Sequence, residues 1–534
     1  MTSDSPQSTP SPATALSSVA LLLAEHGVHG RRLRDALALL CQGWQAFDDL
    51  VRATALPRRT VQELVAAADD DLRRAGANLR IAPELAAEYR RRFALDRANL
   101  GSVAEHPELL AAIGADIAAV PPPLAALDHV QATDETALRR ALWLAENYEL
   151  AGGRLLCLGD HDLTSLAVCA VAPETAVTVV DVDERLLEFI DTRARQRGWN
   201  IRCLHADLRF GFPPAALEWA DLVFTDPPYT PEGMALFLAA GVRALRDPAQ
   251  GRLLVAYGYS ERNPALGLKV QQEIQRLGIV FEAILPGFHR YHGAQAVGSA
   301  SDLYVCRPTA RAAKLATPQA ARRVGIYTHG PQSIEATGPS QEILDALREL
   351  AARPGSSPAP KPRGPGWDEP IGKGAAALAV DLTDDPGPWL LRTLLACAAG
   401  RMAALVSNNH PDISNERGQR ALAELVGPRF TLRFLRSTPD NKHAVVLAEA
   451  APVAATDPAA TVLRELLLRA HGKLGNVWRE ALINASRGEL TKKAAAQRVE
   501  AAAPDPAELD LRLIDLPRHR ITTLLAAMAN SATT

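Results

Sequence analysis

The feature that most constrains the fold is a regular alternation of apolar strand segments with helical segments between residues 154 and 258. Such an alternation is typical of a parallel sheet whose strands are joined by helices, and each connection is expected to be right-handed. The predicted strands are 154–159, 176–183, 201–207, 220–226 and 251–258, and the predicted helices are 163–171, 184–198 and about 232–246. The pattern therefore predicts an α/β domain built on a Rossmann-like sheet.

The length of 534 residues predicts several domains, because one hydrophobic core rarely serves so long a chain. The predicted divisions are a disordered tail over 1–15, a winged-helix-like domain over 16–120, the Rossmann-like domain over 121–308, a linker over 309–372, a small α/β unit over 373–451 and a helical region over 452–534. Within the small α/β unit the predicted elements are a strand over 376–382, a helix over about 388–399, a strand over 402–408 and a hairpin over 431–449.

Three short helices precede an extended segment in the N-terminal region. The helices are predicted at 30–41, at 46–54 and from Pro57 onward, and the extended segment is ANLRIAP. This order is typical of a winged-helix module, which would place Arg58 and Arg59 against DNA. The chain then turns acidic at residues 69–71, which is a poor face to offer phosphates, so a scaffold or dimerisation role is the alternative.

Composition argues against several classes of protein. The formal net charge is −3, which provides no chain-wide basic surface for nucleic acid or membranes. The N-terminus lacks a signal-peptide pattern, and no stretch approaches the roughly 18 apolar residues of a membrane span. The six cysteines form no CxxC pair, which indicates free thiols in a reducing compartment. We therefore expect a soluble, cytoplasmic protein that does not act on membranes.

Acidic residues follow the first three predicted strands, where α/β folds bind nucleotides. Gly159 and Asp160 end the first strand, although the usual Gly-x-Gly-x-Gly is absent. Asp181 ends the second strand, where a carboxylate typically accepts the ribose hydroxyls of a nucleoside. Asp183 lies beside it and is either a ligand contact or a helix N-cap. Asp207 ends the third strand, where it is either structural or able to reach an adenine amino group.

The segment TDPPYT follows the fourth predicted strand. Pro227 and Pro228 make it rigid, Asp226 can accept hydrogen bonds from an amine, and Tyr229 can stack on a substrate. An ordinary β-turn is the alternative, since Asp-Pro is a common turn opener. Its position beside a predicted nucleoside site favours a substrate-binding loop.

A second candidate loop lies in the stretch FHRYHGAQAVGSASDLYV (288–305), where His289, Arg290, Tyr291 and His292 precede a Gly/Ser-rich run and a final predicted strand. Its Tyr291 and His292 are expected to approach the acceptor substrate. His289 and His292, three residues apart, could be metal ligands, but no third ligand is apparent and no metal is predicted. A structural turn is the alternative.

Taken together, LGDHDLTSLA, VVDVDERLLEFI, HADLR and TDPPYT resemble the branched-chain polyamine synthase family, the N4-bis(aminopropyl)spermidine synthases. The resemblance implies a winged-helix domain followed by a Rossmann-like, class I methyltransferase-like domain. It also implies transfer of aminopropyl groups from decarboxylated S-adenosylmethionine to a polyamine amine, with release of methylthioadenosine. It covers roughly residues 20–310 and leaves 310–534 unexplained.

Two residues depart from the family pattern. The family's Gly-Asp-Asp-Asp motif is Gly159-Asp160-His161-Asp162 here. His161 thus replaces the middle acid, which is the one expected closest to the transfer chemistry. Tyr229 is often absent from the family's Asp-Pro-Pro loop and makes this loop similar to that of amino-group methyltransferases of nucleic acids. In the expected reaction Asp226 orients the amine, and Asp162 or His161 takes its proton.

The acids after the first strand favour decarboxylated S-adenosylmethionine as co-substrate, because they repel the carboxylate of S-adenosylmethionine and attract a propylamine. The expected partner is a small-molecule polyamine or another amine, nucleic acid is not favoured, and a homodimer is left open. The first alternative is an N-methyltransferase that uses S-adenosylmethionine on a nucleic-acid base or small amine. The second is a non-catalytic winged-helix regulator that senses a polyamine or nucleoside.

Overall fold

The computed structural model describes residues 15–96, 100–294, 297–316, 325–327, 338–352, 359–361, 363–364, 366–452, 457–487 and 489–533. The predicted tail therefore lies outside the described residues except for Ala15, as does most of the stretch 353–366. The chain forms two compact units. The first comprises residues 1–111, 138–153 and 167–175, and the second comprises 112–137, 154–166 and 176–534.

The first unit contains the predicted N-terminal helices and a small antiparallel sheet. The elements are α1 (Ala15–His26), α2 (Arg31–Gln42), β1 (Gln45–Ala46), α3 (Phe47–Thr54), α4 (Arg58–Ala67), β2 (Leu72–Ala75), β3 (Asn78–Ile81) and α5 (Pro83–Phe93), followed by α6 (Pro107–Ala119), which continues into the second unit. The strand order is β1-β3-β2. Leu33, Leu37 and Leu40 recur on one face of α2 and are fully buried, as expected of an amphipathic helix.

The second unit is built on the sheet that the strand–helix alternation predicted. The elements are β4 (Arg154–Leu158), β5 (Ala176–Asp181), α9 (Glu184–Arg197), β6 (Ile201–His205), β7 (Leu222–Thr225), α10 (Pro231–Ala244), β8 (Arg252–Tyr257), α11 (Pro264–Arg276), β9 (Ile279–Arg290), β10 (Ala300–Pro308) and α12 (Ala312–Leu315), together with the first residues of α7 (Asp134–Asn147) and of α8 (Thr164–Val171), whose remaining residues belong to the first unit. The strand order is β6-β5-β4-β7-β8-β10-β9. Strands β4 to β8 pair in parallel, in the Rossmann-type order 3-2-1-4-5.

Strands β9 and β10 complete the sheet as an antiparallel pair, and β10 is also antiparallel to β8. The long strand β9 was not predicted from the sequence. It includes His289 and Arg290, so the expectation that both lie in a loop is wrong, and the loop that begins at Tyr291 is shorter than predicted.

The C-terminal part of the second unit has its own sheet and a group of helices. The elements are α13 (Gln341–Ala351), β11 (Leu378–Leu382), α14 (Trp389–Ala396), β12 (Arg401–Ser407), α15 (Glu416–Val426), β13 (Phe430–Leu435), β14 (His443–Ala450), α16 (Pro458–Leu468), α17 (Leu474–Ala485), α18 (Lys492–Ala502) and α19 (Arg518–Thr533). The strand order is β11-β12-β14-β13, and β13 and β14 form the predicted hairpin.

One hydrophobic core joins the C-terminal part to the Rossmann-like sheet. Leu156 and Val223 of the large sheet belong to the same buried cluster as Leu390 and Trp478. The six cysteines are free and buried, as predicted. Among the described residues, no helix has both the length and the apolar character that crossing a membrane requires.

Candidate functional site

Four neighbouring parallel strands end in, or are followed by, acidic residues at one edge of the large sheet. Adjacent strands lie about 4.8 Å apart, so residues at their carboxyl ends are near neighbours. In sheet order the four residues are Asp207 after β6, Asp181 at the end of β5, Asp160 after β4 and Asp226 after β7. The fold therefore brings the predicted nucleoside and amine residues to one edge.

The turn after β4 is shaped by Gly159 and Asp160. Gly159 has a φ of +69°, in the left-handed region that favours glycine. Asp160 is buried and accepts hydrogen bonds from the backbone N–H of Ser165, 3.2 and 3.3 Å from its two oxygens. Burial raises the pKa of Asp160 to about 8, although the bonds from Ser165 oppose the shift. A cation bound nearby would favour the ionised carboxylate.

His161 stacks on His129, with ring centroids 4.8 Å apart and an interplanar angle of 20°. Burial, reinforced by His129, lowers the pKa of His161 to about 4, so its imidazole is neutral at pH 7. Neither ring nitrogen of His161 makes a hydrogen bond to the described residues. Asp162 accepts a hydrogen bond from the backbone N–H of Ala132 at 2.7 Å. No sequence pattern indicated His129, because its contact with His161 depends on the fold.

Asp181 organises the turn at the end of β5. One carboxylate oxygen accepts the backbone N–H of Asp160 at 3.0 Å, and the other accepts that of Asp183 at 2.8 Å. Burial, supported by the charge of Asp183, raises the pKa of Asp181 to about 6. Asp183 is the N-cap of α9 and pairs with Arg185, which lowers its pKa although burial alone would raise it. Of the two roles considered for Asp183, ligand contact and helix N-cap, the structure shows the N-cap.

Asp207 accepts four hydrogen bonds. Arg209 donates from its backbone N–H (3.0 Å), from Nε (2.9 Å) and from Nη2 (2.6 Å), and Trp389 donates from its indole nitrogen (3.2 Å). A carboxylate offers about four lone pairs. Both partners were absent from the sequence-based expectation, and Trp389 lies in the region that the family resemblance does not cover.

Asp226 is held by two tyrosines. Tyr229, from the same loop, donates a hydrogen bond to Oδ1 at 3.0 Å, and Tyr291 donates to Oδ2 at 2.6 Å. Burial and the adjacent Asp226 raise the pKa of Tyr229 well above its usual range, so its hydroxyl keeps its proton. Pro227 and Pro228 are buried between Asp226 and Tyr229. The orientation of the Asp226 carboxylate is therefore fixed by both tyrosines and by the loop.

The segment around Tyr291 makes backbone hydrogen bonds with the residues that immediately precede α7. Tyr291 forms an isolated antiparallel bridge with Ala132, and the backbone N–H of Thr133 donates to the carbonyl of Arg290 at 3.0 Å. Ser301 at the start of β10 contacts the hydroxyl of Tyr291 at 2.8 Å. The His292 side chain is exposed, so the structure brings Tyr291 to Asp226 without His292.

Residues after β10 reach the same edge of the sheet. The hydroxyl of Thr230 donates to the carbonyl of Ile326 at 2.8 Å. Ile326 and Tyr327 pack in one buried cluster with Val182, which follows Asp181. The ring of Tyr327 also lies 5.3 Å from the guanidinium of Arg209. Residues beyond the predicted Rossmann-like domain therefore line the edge at which the candidate site lies.

Two other expectations concern DNA and metals. Arg58 pairs with Asp48 at 2.8 Å and Arg59 pairs with Glu63 at 3.1 Å, so both arginines have nearby carboxylates. Within the described part of the chain, no group of three or more His, Cys, Asp or Glu residues could hold a metal ion.

Comparisons with known proteins point to one family. Residues 111–312 match the family model of the branched-chain polyamine synthase A C-terminal domain. An uncharacterized protein of Methanocaldococcus jannaschii, MJ0675, is 36% identical over 174 residues, which are 32% of this chain and 43% of that protein. The N(4)-bis(aminopropyl)spermidine synthase of Thermococcus kodakarensis is 32% identical over 177 residues, which are 32% of this chain and 49% of that enzyme. The matches thus span less than half the length of these curated relatives.

A matching solved structure is less similar in sequence than these curated relatives. The branched-chain polyamine synthase of Thermus thermophilus, in complex with N4-aminopropylspermidine and 5′-methylthioadenosine, is 21% identical, with a TM-score of 0.34. The match covers 55% of this chain and 92% of that one.

Proposed function

Because residues 111–312 match the family model of the branched-chain polyamine synthase A C-terminal domain, we propose that the protein transfers an aminopropyl group from decarboxylated S-adenosylmethionine to an amine of a polyamine. The observation that carries this proposal is the position of Asp226. Its carboxylate is held by Tyr229 and Tyr291 and lies one strand from the acidic turn after β4. An oriented carboxylate beside an acidic turn suits the meeting of two cationic substrates.

The donor is proposed from the charges of the turn after β4 and of the neighbouring end of β5. Asp160, Asp162 and Asp181 favour a donor that presents a cationic propylamine and oppose one that presents a carboxylate. One charge pair at about 4 Å is worth roughly 4 kcal/mol at an effective dielectric near 20, before desolvation is subtracted. Even a quarter of that energy would give about fivefold discrimination between the two donors.

The nucleoside is proposed to lie between the ends of β4 and β5. Gly159 and Asp160 would line one side, and Asp181 would accept the ribose hydroxyls with the lone pairs left after its two backbone contacts. Asp183 supports this turn as the cap of α9. Asp207 was expected at the adenine, and its four protein donors make that contact depend on a rearrangement of Arg209 or Trp389.

In the proposed reaction the lone pair of a neutral amine forms the new N–C bond at the carbon next to the sulfonium. The C–S bond breaks and its electron pair stays on sulfur, which leaves the neutral thioether methylthioadenosine. Asp226 orients the amine and stabilises the positive charge that develops on nitrogen. The proton that the amine loses before attack goes to Asp162 or His161; burial lowers the pKa of His161 to about 4, so its imidazole is neutral at pH 7 and able to accept a proton.

A second candidate function is N-methyl transfer from S-adenosylmethionine. It is favoured by Tyr229, whose place in Asp-Pro-Pro-Tyr resembles the loop of amino-group methyltransferases. The N-terminal helices with their three paired strands are proposed to be a winged-helix-like module, and a non-catalytic regulator is the remaining alternative.

The deciding experiment incubates the full chain with each donor and a panel of linear and branched polyamines. Aminopropyl transfer releases methylthioadenosine, methyl transfer releases S-adenosylhomocysteine, and a regulator releases neither. We expect methylthioadenosine in the presence of a polyamine and decarboxylated donor. The Asp226→Asn variant is the matched control, because any product that it forms at the wild-type rate does not come from this site.

A further inference from the structure

A chain of hydrogen bonds runs inward from Asp226. The three links are Tyr291 Oη to Asp226 Oδ2 (2.6 Å), Ser301 Oγ to Tyr291 Oη (2.8 Å) and His289 Nδ1 to Ser301 Oγ (2.9 Å). All three distances are those of good hydrogen bonds. Tyr291, Ser301 and His289 are buried residues, each at most 8% exposed. The sequence-based expectations included Tyr291 but gave no role to Ser301.

If all three links are hydrogen bonds and Asp226 is ionised, one direction of donation is required; Tyr229 Oη lies farther away, 3.4 Å from Tyr291 Oη. A carboxylate can only accept, so Tyr291 uses its single hydroxyl hydrogen on Asp226. The oxygen of Tyr291 then accepts from Ser301, which uses the single hydrogen of that hydroxyl as well. Ser301 must in turn accept from His289, so Nδ1 of His289 carries a hydrogen.

We propose that Ser301 and His289 are positioning residues that keep Asp226 a carboxylate throughout the reaction. Protonation of Asp226 at Oδ2 would place two hydrogens between Asp226 and Tyr291. To remove this clash between the two hydrogens, all three hydrogen bonds would have to reverse, and Nδ1 of His289 would have to lose its hydrogen. His289 packs edge-on against Phe224 and Phe288, at ring-centroid distances of 6.4 and 5.0 Å, so two aromatic rings flank its imidazole.

This inference rests on the proposed function and makes it more specific. An Asp226 that stays ionised accepts a hydrogen bond from the amine but does not remove its proton. Tyr229 acts in the same sense, because it donates a further hydrogen bond to Oδ1 of Asp226 at 3.0 Å. The proton therefore leaves through a group outside this hydrogen-bond chain, and Asp162, in the turn after the neighbouring strand β4, is our candidate.

The first test compares Ser301→Ala with Ser301→Thr, which keeps the hydroxyl. Single-turnover rates are measured from pH 6 to pH 9 with the donor and polyamine that the wild type uses. Without the hydrogen-bond chain, the charged form of Asp226 is less stable and its pKa rises. The acid limb of the pH–rate profile of the Ala variant should therefore move to higher pH. We expect roughly tenfold slower turnover below the new midpoint, unchanged methylthioadenosine affinity and recovery in the Thr variant.

Tyr257→Phe is the control for removing a buried hydroxyl near this site. The Tyr257 ring lies 5.2 Å from that of Tyr229, and its hydroxyl makes no hydrogen bond among the described residues. Its pH profile should match that of the wild type. Equal losses in the Ala and Thr variants at every pH would make Ser301 a packing residue, and a normal Ala variant would remove it from the site; either result overturns the inference.

A second measurement does not depend on catalysis. Nitrogen-15 NMR of the full chain with labelled histidine reports which ring nitrogen of His289 carries the hydrogen, and His289→Gln identifies the signal. We expect a protonated Nδ1. Should the wild type release no product with any donor while Nδ1 is protonated, the proposed function fails and the hydrogen-bond chain stands. An unprotonated Nδ1 overturns the inference whatever the activity.

Discussion

The indole nitrogen of Trp389 lies 3.2 Å from Oδ2 of Asp207, although 182 residues separate them in the chain. The contact joins α14 of the C-terminal part to the end of β6. It adds to the three hydrogen bonds from Arg209, whose guanidinium also lies 5.0 Å from the centroid of the Trp389 ring. The C-terminal part therefore helps to shape the edge of the sheet on which the candidate site lies.

Trp389→Phe should lower the stability of the protein. The change keeps an aromatic ring but removes the donor to a buried carboxylate, a contact worth about 1.5–3 kcal/mol when one partner is charged. Trp367→Phe is the matched control, because Trp367 packs against the same Phe210. Denaturant unfolding should give a free energy of unfolding about 1–2 kcal/mol lower for Trp389→Phe than for the control. Equal values would mean that the indole hydrogen bond contributes nothing measurable.

The parallel part of the fold could be predicted because its signal is local. Each buried strand is a short apolar run bounded by a turn, and β4 to β8 lie within the predicted segments. Strand β9 escaped prediction because Pro286 and Gly287 interrupt its apolar pattern. A proline is tolerated there because β9 pairs only with β10, at the edge of the sheet.

The sequence predicted where the candidate site residues lie along the strands but not the contacts that they make. Asp226 and Tyr229 were expected in the same loop, whereas the hydrogen bond between them was not. The pairing of Asp207 with Trp389 and the stacking of His161 on His129 join distant segments, and no local pattern encodes such contacts. Asp207 illustrates the consequence, since the end of a strand indicates where a carboxylate lies but not which donors reach it first.

The affinity for a cationic donor should rise with pH. Burial raises the pKa of Asp181 to about 6 and that of Asp160 to about 8, so both carboxyls gain charge as the pH increases through this range. A cation favours the ionised forms, lowers both pKa values on binding and releases protons. Calorimetry with decarboxylated S-adenosylmethionine should therefore give tighter binding at pH 8 than at pH 6, with proton release to the buffer. Neutral methylthioadenosine is the control, and the same pH dependence for both ligands would contradict this explanation.

The acidic turn should also set the preference between donors. Changing both Asp160 and Asp162 to Asn keeps their size and an acceptor oxygen but removes the charges that repel the carboxylate of S-adenosylmethionine. The ratio of affinities for the two donors should shift towards S-adenosylmethionine by about fivefold or more. Competition binding measures this ratio in one titration. A ratio that stays constant while both donors still bind would place the acids away from the propylamine end of the donor.

Asp226 should matter more for turnover than for nucleoside binding. The Asp226→Asn variant keeps the size of the side chain and an oxygen that can accept from Tyr291, but it removes the charge that stabilises the developing ammonium. Loss of one charge-assisted contact of this kind should cost about 2–4 kcal/mol in the transition state, or roughly 30- to 1,000-fold in rate. Methylthioadenosine has no amine for Asp226 to hold, so its affinity should barely change.

The test of Asp226 measures single-turnover kinetics and a methylthioadenosine titration on the same preparation of Asp226→Asn. Tyr257→Phe, treated in parallel, controls for a substitution near the loop that leaves the carboxylate in place. A slow variant with normal nucleoside affinity is expected, because the charge acts only on the amine in the transition state. Near-normal turnover would make the loop structural. Loss of nucleoside binding together with turnover would instead place Asp226 in the donor pocket, one strand away from Asp160.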